Sequence, residues 1–446
     1  MAGAAVGVSH LVQATRAGAE FGLLLLPLVI AICVLKLPFL LFGPRYAAAT
    51  GKNLLDGYRR VGTTALLAYS LITLGTMFII LAVVTLVTAG LAGVVLGLAW
   101  PTWALAALVF AACGAILALG QYKGLDLGMK LLMAVLAVST LAAAALAFGQ
   151  RPDWTTLSGI IEWPRLASAA GLAFLLALMG WMPIPLDVAV WHSLWTLERQ
   201  NPEDDVDHRV RGADFDFYLG FWIATGLAVI FVLIGAFLLH ATGSPLPDSA
   251  VGFAAALVAL YTQVLGEWAG PIIAVAALTT MFSTTLAVLD AYPRVLVALR
   301  REWMIWRRLR HCQPVRPYPL GPTIELSRPT LPLASRAQKS RLGLWFFDRL
   351  FDASTREYRL YLVVMTLGAL GLITGAGTRF VALVDLATML SFLATPVLAI
   401  ITYRAILSEG VAVRHRPGRA MRSLAWLGIA FTSVFAIAWL IWRFKG

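Results

Sequence analysis

Charge is what this sequence has least of: Asp, Glu, Lys and Arg make up only 13% of its 446 residues, about half the share of an ordinary soluble domain. The shortage is uneven, with no Lys or Arg between Arg60 and Lys123 or between Arg211 and Arg294. The net charge of +12 therefore does not build a continuous basic face, and a nucleic-acid partner is excluded. Cysteine is rarer still. Cys33, Cys113 and Cys312 stand far apart, with no spacing for a metal cluster, and read as free thiols. The opening Met-Ala-Gly-Ala-Ala lacks the basic start and cleavage site of a signal peptide. There is no phosphate-binding loop, metal-ligand cluster or nucleophile-base arrangement, so neither an enzyme nor a bound cofactor is expected.

What fills the space is apolar. Hydrophobic residues account for 60% of the chain and the mean hydropathy is +0.82, which makes a bilayer its natural solvent. Apolar runs at 21–42, 63–100, 103–119, 131–148, 167–197, 217–239, 272–299, 360–373, 381–405 and 424–442 can each form a membrane helix, since about 20 residues cross the hydrocarbon core. With 1–20 as a short or interrupted first helix, the expectation is an all-α polytopic membrane protein of about eleven transmembrane helices. Residues 1–299 hold helices 1–8, 300–356 form a basic, Pro-rich cytoplasmic loop, and 357–446 hold helices 9–11. The segment 248–268 reads as a surface helix before the eighth span.

Basic residues orient the bundle. Placing the N-terminus inside puts 28 Lys and Arg in the inner loops and five outside, namely Arg151, Arg165, Arg379, Arg443 and Lys445. That bias is the positive-inside rule. It implies a bacterial-type inner (plasma) membrane protein with a cytoplasmic N-terminus and, the helix count being odd, an outer C-terminus.

Interruptions at membrane depth carry the functional signal, because a broken helix frees backbone groups that must line a cavity or be buried in protein. In Gly180-Trp181-Met182-Pro183-Ile184-Pro185-Leu186-Asp187 two prolines remove amide donors and clash with the preceding turn. An acid follows at once. A plain proline kink is the competing reading, but an intramembrane carboxylate usually marks a pathway. The first helix is also unusually polar, carrying Ser9, His10, Gln13, Arg16 and Glu20. Helical spacing puts His10 and Gln13 on one face and sets Arg16 over Glu20; a surface ion pair is the alternative for the latter two.

These stretches resemble the natural resistance-associated macrophage protein (NRAMP) family. The run from Arg16 to Gly22 followed by Ala49-Thr-Gly-Lys-Asn-Leu-Leu55 is similar to the first two helices of its metal transporters. Gly120 to Lys130 looks like the hinge before the fifth helix, and Met182-Pro183 with His192-Ser193 looks like the sixth. The resemblance implies an inverted-repeat fold of the amino-acid/polyamine/organocation-superfamily kind, with interrupted helices 1 and 6 crossing at the substrate. It also exposes a departure. The family's Asp-Pro-Gly-Asn signature falls on Gly7, Val8, Ser9 and His10; its Met-Pro-His-Asn falls on Met182, Pro183, Ile184 and Pro185 when aligned on Met-Pro, whereas alignment on His192-Ser193 puts Pro185 at the Met position. The metal-binding Asp and Asn are missing, so the transition-metal site is expected to be lost.

The expected activity is proton-coupled uptake of a small cationic solute, such as a guanidinium or amine compound, by alternating access. Ser9, His10, Gln13, Trp181, Met182, Pro183, Asp187 and Trp191 are the candidate substrate-binding residues, with Asp187 facing the positive charge. Trp181, Trp191 and Phe392 offer aromatic faces, although packing is the commoner fate of such residues. Arg16, Glu20, His192, Asp290, Arg294 and Asp385 are candidates for coupling or gating; His10 and His192 can carry protons, and Asp290 with Arg294 also reads as a structural pair. Proton-coupled transport of Mn²⁺, Fe²⁺ or Mg²⁺ is the first alternative, and a non-transporting membrane receptor the second. The partners expected are the solute, the proton and the lipid bilayer, and the chain is expected to be a monomer.

Overall fold

A computed structural model describes residues 7–119, 122–149, 157–158, 160–201, 203–241, 247–311, 353–376 and 379–445. Among these residues all regular structure is helical. Most of the loop expected at 300–356 and the start of the resemblance at Gly120 lie outside the described residues.

The first span opens with a π-helical turn, Ser9–Ala14, that runs into α1, Thr15–Phe21. Gly22, at φ +56°, turns the chain towards α2, Leu26–Thr50; only a glycine enters that region without steric penalty. Asn53 caps the short α3, Leu54–Val61, by accepting from the Asp56 amide. Then come α4, Thr63–Leu96, α5, Thr102–Leu119, and α6, Tyr122–Gly149. Beyond the one-turn α7, Trp163–Leu166, the chain forms α8, Ala169–Trp181, and α9, Val188–Arg199. α10, Val206–Ile234, continues as a second π turn, Gly235–His240. The remainder is α11, Ala250–Leu265, α12, Ala269–His311, α13, Ala353–Ala376, α14, Phe380–Ile406, and α15, Arg419–Lys445.

Among the described residues, seven helices are long and apolar enough to cross a membrane unaided: α2, α4, α10 with its π turn, α12, α13, α14 and α15. α5, α6, α8 and α11 are shorter apolar helices. Burial ranks the long ones. The apolar window of α4 is 78% buried and those of α13 and α15 only 17% and 28%, so α4 is central and the last two face lipid with side chains such as Leu367 and Val434. α12 continues to His311, so the first residues assigned to the cytoplasmic loop are helical. At about 65 Å it is roughly twice as long as the hydrocarbon core is thick. Trp303 and Trp306 on this extension donate to Ser70 and Thr63 near the start of α4.

Small residues let helices touch. A Cβ on Gly18 would lie 2.0 Å from the Val232 carbonyl oxygen, and one on Gly235 would lie 2.1 Å from that of Thr15. α1 and the π turn of α10 thus meet backbone to backbone, the contact that small residues permit in membrane bundles.

A broken span between two ion-paired ends

The sixth span is interrupted where the prolines stand. α8 stops at Trp181, Met182 is extended with ψ 125°, and helix resumes only at Val188, as a residue before proline and the missing amides require. Asp187 sits at the head of α9, buried, and accepts from the Tyr292 hydroxyl at 3.4 Å. Tyr292 comes from α12 and packs edge-on against Trp191, 4.9 Å between ring centres.

The first span is stitched to this break. Ser9 Oγ lies 3.0 Å from the Pro183 carbonyl oxygen and 2.8 Å from His10 Nδ1, while His10 Nε2 lies 2.9 Å from the Ala224 carbonyl oxygen on α10. A carbonyl only accepts, so Nε2 carries the ring proton and the serine hydroxyl is shared between Nδ1 and Pro183. Met182 is wholly buried. Trp181 donates through Nε1 to Ser391 Oγ on α14 at 2.8 Å.

A residue that the sequence reading passed over completes the break. The Lys36 ammonium, fully buried on α2, donates to the carbonyls of Met179 and Gly180, both at 2.7 Å, and of Ile184 at 3.4 Å. The first two are open carbonyls that a helix leaves at its C-terminus, and a cation is their natural partner; the third lies in the break itself. Its signal was in the sequence. Lys36 is the one basic residue in the apolar run 21–42, and it stands well away from either end of that run.

Towards one end of the bundle Arg16 gathers the polar residues of the first span. Its guanidinium donates to Asp385 on α14 at 2.7 and 3.4 Å, to Glu20 at 3.2 Å and to the Gln13 amide oxygen at 3.4 Å. It also covers the Phe174 ring of α8 at 4.9 Å. Gln13 donates in turn to Asp385 and Thr388, so it belongs to this knot and not to the break. Arg165 reaches Glu20 from the segment before α8 at 3.3 Å. His10 and Gln13, expected to share a face, thus turn to different neighbours, because the π winding of Ser9–Ala14 alters the angle between them.

Towards the other end Asp56 accepts from Arg59, Arg60 and Tyr46, and Arg59 joins Glu302 of α12 at 2.6 Å. Burial opposes the Asp56 charge, but the Arg60 and Tyr46 hydrogen bonds prevail and hold the carboxyl below its ordinary range. Asp290 and Arg294 form the i, i+4 pair expected of them. Tyr358 and Glu198 join that pair, which places it at this end with α9 and α13 rather than at the break. His192 is buried beside Trp195, and neither of its ring nitrogens has a partner among the described residues; the same holds for Trp191 Nε1. Among the described residues no three His, Cys, Asp or Glu side chains converge to hold a metal.

A helical bundle with a span broken at depth and a polar cluster closed off at both ends is the architecture of a membrane transporter. The comparisons agree. The family model described as natural resistance-associated macrophage protein-like matches residues 1–296, and an uncharacterized protein of Pasteurella multocida (strain Pm70) is 32% identical over 303 residues, 67% of this chain and 68% of the relative. The chain belongs to the NRAMP-like family. Its fold is similar to that of the Eremococcus coleocola manganese transporter, solved as the H236A mutant, with a TM-score of 0.66 and 12% identity over 98% of this chain and 84% of that one. Mhp1, a nucleobase-cation-symport-1 family transporter with bromovinylhydantoin bound, is similar at a TM-score of 0.56 and 14% identity, over 100% of this chain and 91% of that one.

Proposed function

We propose that this transporter moves a small polar organic solute by alternating access, and that the transition-metal chemistry of its relatives has been lost. The observation that carries this reading is the composition of the break. Asp187 with Trp191 and Tyr292 offers one carboxylate, hydrogen-bond donors and aromatic faces, where a transition metal wants several converging donors. Fold alone does not choose, since it is shared by a manganese transporter and by one with a hydantoin bound.

The Arg16–Asp385 knot serves as the outer gate and the Asp56–Arg59–Glu302 knot as the inner one. The positive-inside bias of the loops supports a cytoplasmic side for the second of these. A proton is the coupling ion in this reading, with His10 and His192 as its carriers.

Metal transport is the second reading, and family membership favours it. Flux in proteoliposomes separates the two. Uptake of Mn²⁺, Fe²⁺ and Mg²⁺ is measured beside that of labelled small amides, imides and amines under an inward proton gradient. The expected result is organic-solute uptake abolished by Asp187→Asn; saturable metal uptake abolished by the same substitution overturns the reading.

A further inference from the structure

An expectation built on Asp187 alone favours a positive solute. Lys36 changes that balance. The carboxyl of Asp187 and the amine of Lys36 lie within electrostatic range of each other, so the break holds one acidic and one basic group. A fixed cation already occupies the carbonyl oxygens that would otherwise attract a mobile one.

We propose that Lys36 is a built-in cation: its ammonium fills the seat formed by the carbonyls of Met179, Gly180 and Ile184, so that the central site refuses inorganic cations and takes a solute with no net positive charge. This rests on the transporter reading and deepens it by assigning the charge class of the solute. Three features support it. The ammonium has three protons, and three carbonyl oxygens receive them. The side chain is fully buried, so no water competes for those protons. Two of the three carbonyls end α8 and the third belongs to the non-helical stretch after it, the arrangement in which unwound backbone binds coupling ions in related architectures. An ion arriving there meets like charge at short range, in a medium where repulsion is weakly screened.

The same geometry gives Lys36 a positioning role. It ties α2 to the end of α8 and to Ile184 inside the break, and so holds these backbone segments in one arrangement.

The test uses the full chain in nanodiscs and reads thermal stability against Na⁺, K⁺, Mn²⁺ and guanidinium, with choline as the ionic-strength control. The wild type is expected to show no saturable response to any of the four. Lys36→Ala, which vacates the seat, is expected to melt about 5 °C or more lower, and to regain most of that loss when ethylammonium or Na⁺ is supplied at millimolar concentration. Lys36→Met keeps the volume without the charge; it is expected to melt lower without rescue, because the space is filled. Should Lys36→Ala not survive purification, Lys36→Met decides the matter, and melting at the wild-type temperature would show that the carbonyls need no cation. A saturable wild-type response to Mn²⁺, Na⁺ or guanidinium that disappears in Asp187→Asn overturns the proposal. None of these readings needs flux, so a failure of transport and a failure of the Lys36 assignment are told apart.

Discussion

Arg16 and Asp385 lie 369 residues apart in sequence and meet as a two-pronged ion pair, Nη1 to Oδ1 at 2.7 Å and Nη2 to Oδ2 at 3.4 Å. The pair joins the first span to α14 beside the α8 ring that Arg16 covers. In Asp385→Asn the guanidinium keeps Glu20 but loses its fork partner, and the closed arrangement weakens. A cysteine placed by Thr388→Cys is then expected to react with a water-soluble maleimide at least about 10-fold faster than in the Asp385 background, a population shift of about 1.4 kcal/mol. Arg16→Lys should fall between the two, because an ammonium cannot make the fork. Equal labelling rates would remove the gate from this end.

Asp56 makes the stability of the other end depend on pH. Its folded carboxyl is held below the ordinary 3.8, so its contribution is fully present above about pH 4 and fades as pH falls through the depressed folded value. The Asp56→Asn protein in detergent should therefore melt well below the wild type at pH 7, and the gap should narrow towards pH 3. A gap that is constant with pH would mean that the charge of Asp56 does no work there.

Gly18→Ala puts a methyl group into the space held by the Val232 carbonyl. Backbone cannot swing aside as a side chain does, so α1 and α10 must separate. Loss of about 1–3 kcal/mol in unfolding stability is expected, with a comparable loss for Gly235→Ala. The double variant should cost less than the sum, since one separation accommodates both methyls.

Trp181 and Ser391 couple the end of α8 to α14. Trp181→Phe removes the donor but leaves the serine hydroxyl bonded to the Ala387 carbonyl, so a loss of only about 1 kcal/mol is expected. A double-mutant cycle with Ser391→Ala should return a coupling of similar size; a coupling near zero would mean that the indole acts by packing alone.

The sequence was informative wherever one local rule sufficed. Pro183 and Pro185, two prolines a single residue apart, mark the break between Trp181 and Val188, whereas the lone prolines Pro38, Pro44, Pro293 and Pro396 stay inside helices. The Arg16–Glu20 spacing likewise gives its pair directly. Partners brought in by tertiary packing were not legible in the same way: nothing local says that Asp385 crosses to Arg16, or that Tyr292 reaches Asp187. Lys36 is a different case. A lone cation inside the apolar run 21–42 was visible to the rule that intramembrane charges have a purpose. Its partners are carbonyls, however, and no sequence pattern displays a carbonyl.

The two indole bonds from the protruding part of α12 to the start of α4 act as rivets. They fix the register of one long rod against another, so the two cannot slide past each other to suit a thinner or thicker lipid bed. Adjustment to bilayer thickness is left to leaning of the joined pair, and lipid chain length thereby becomes a handle on the tilt of the rod that carries Tyr292 to Asp187.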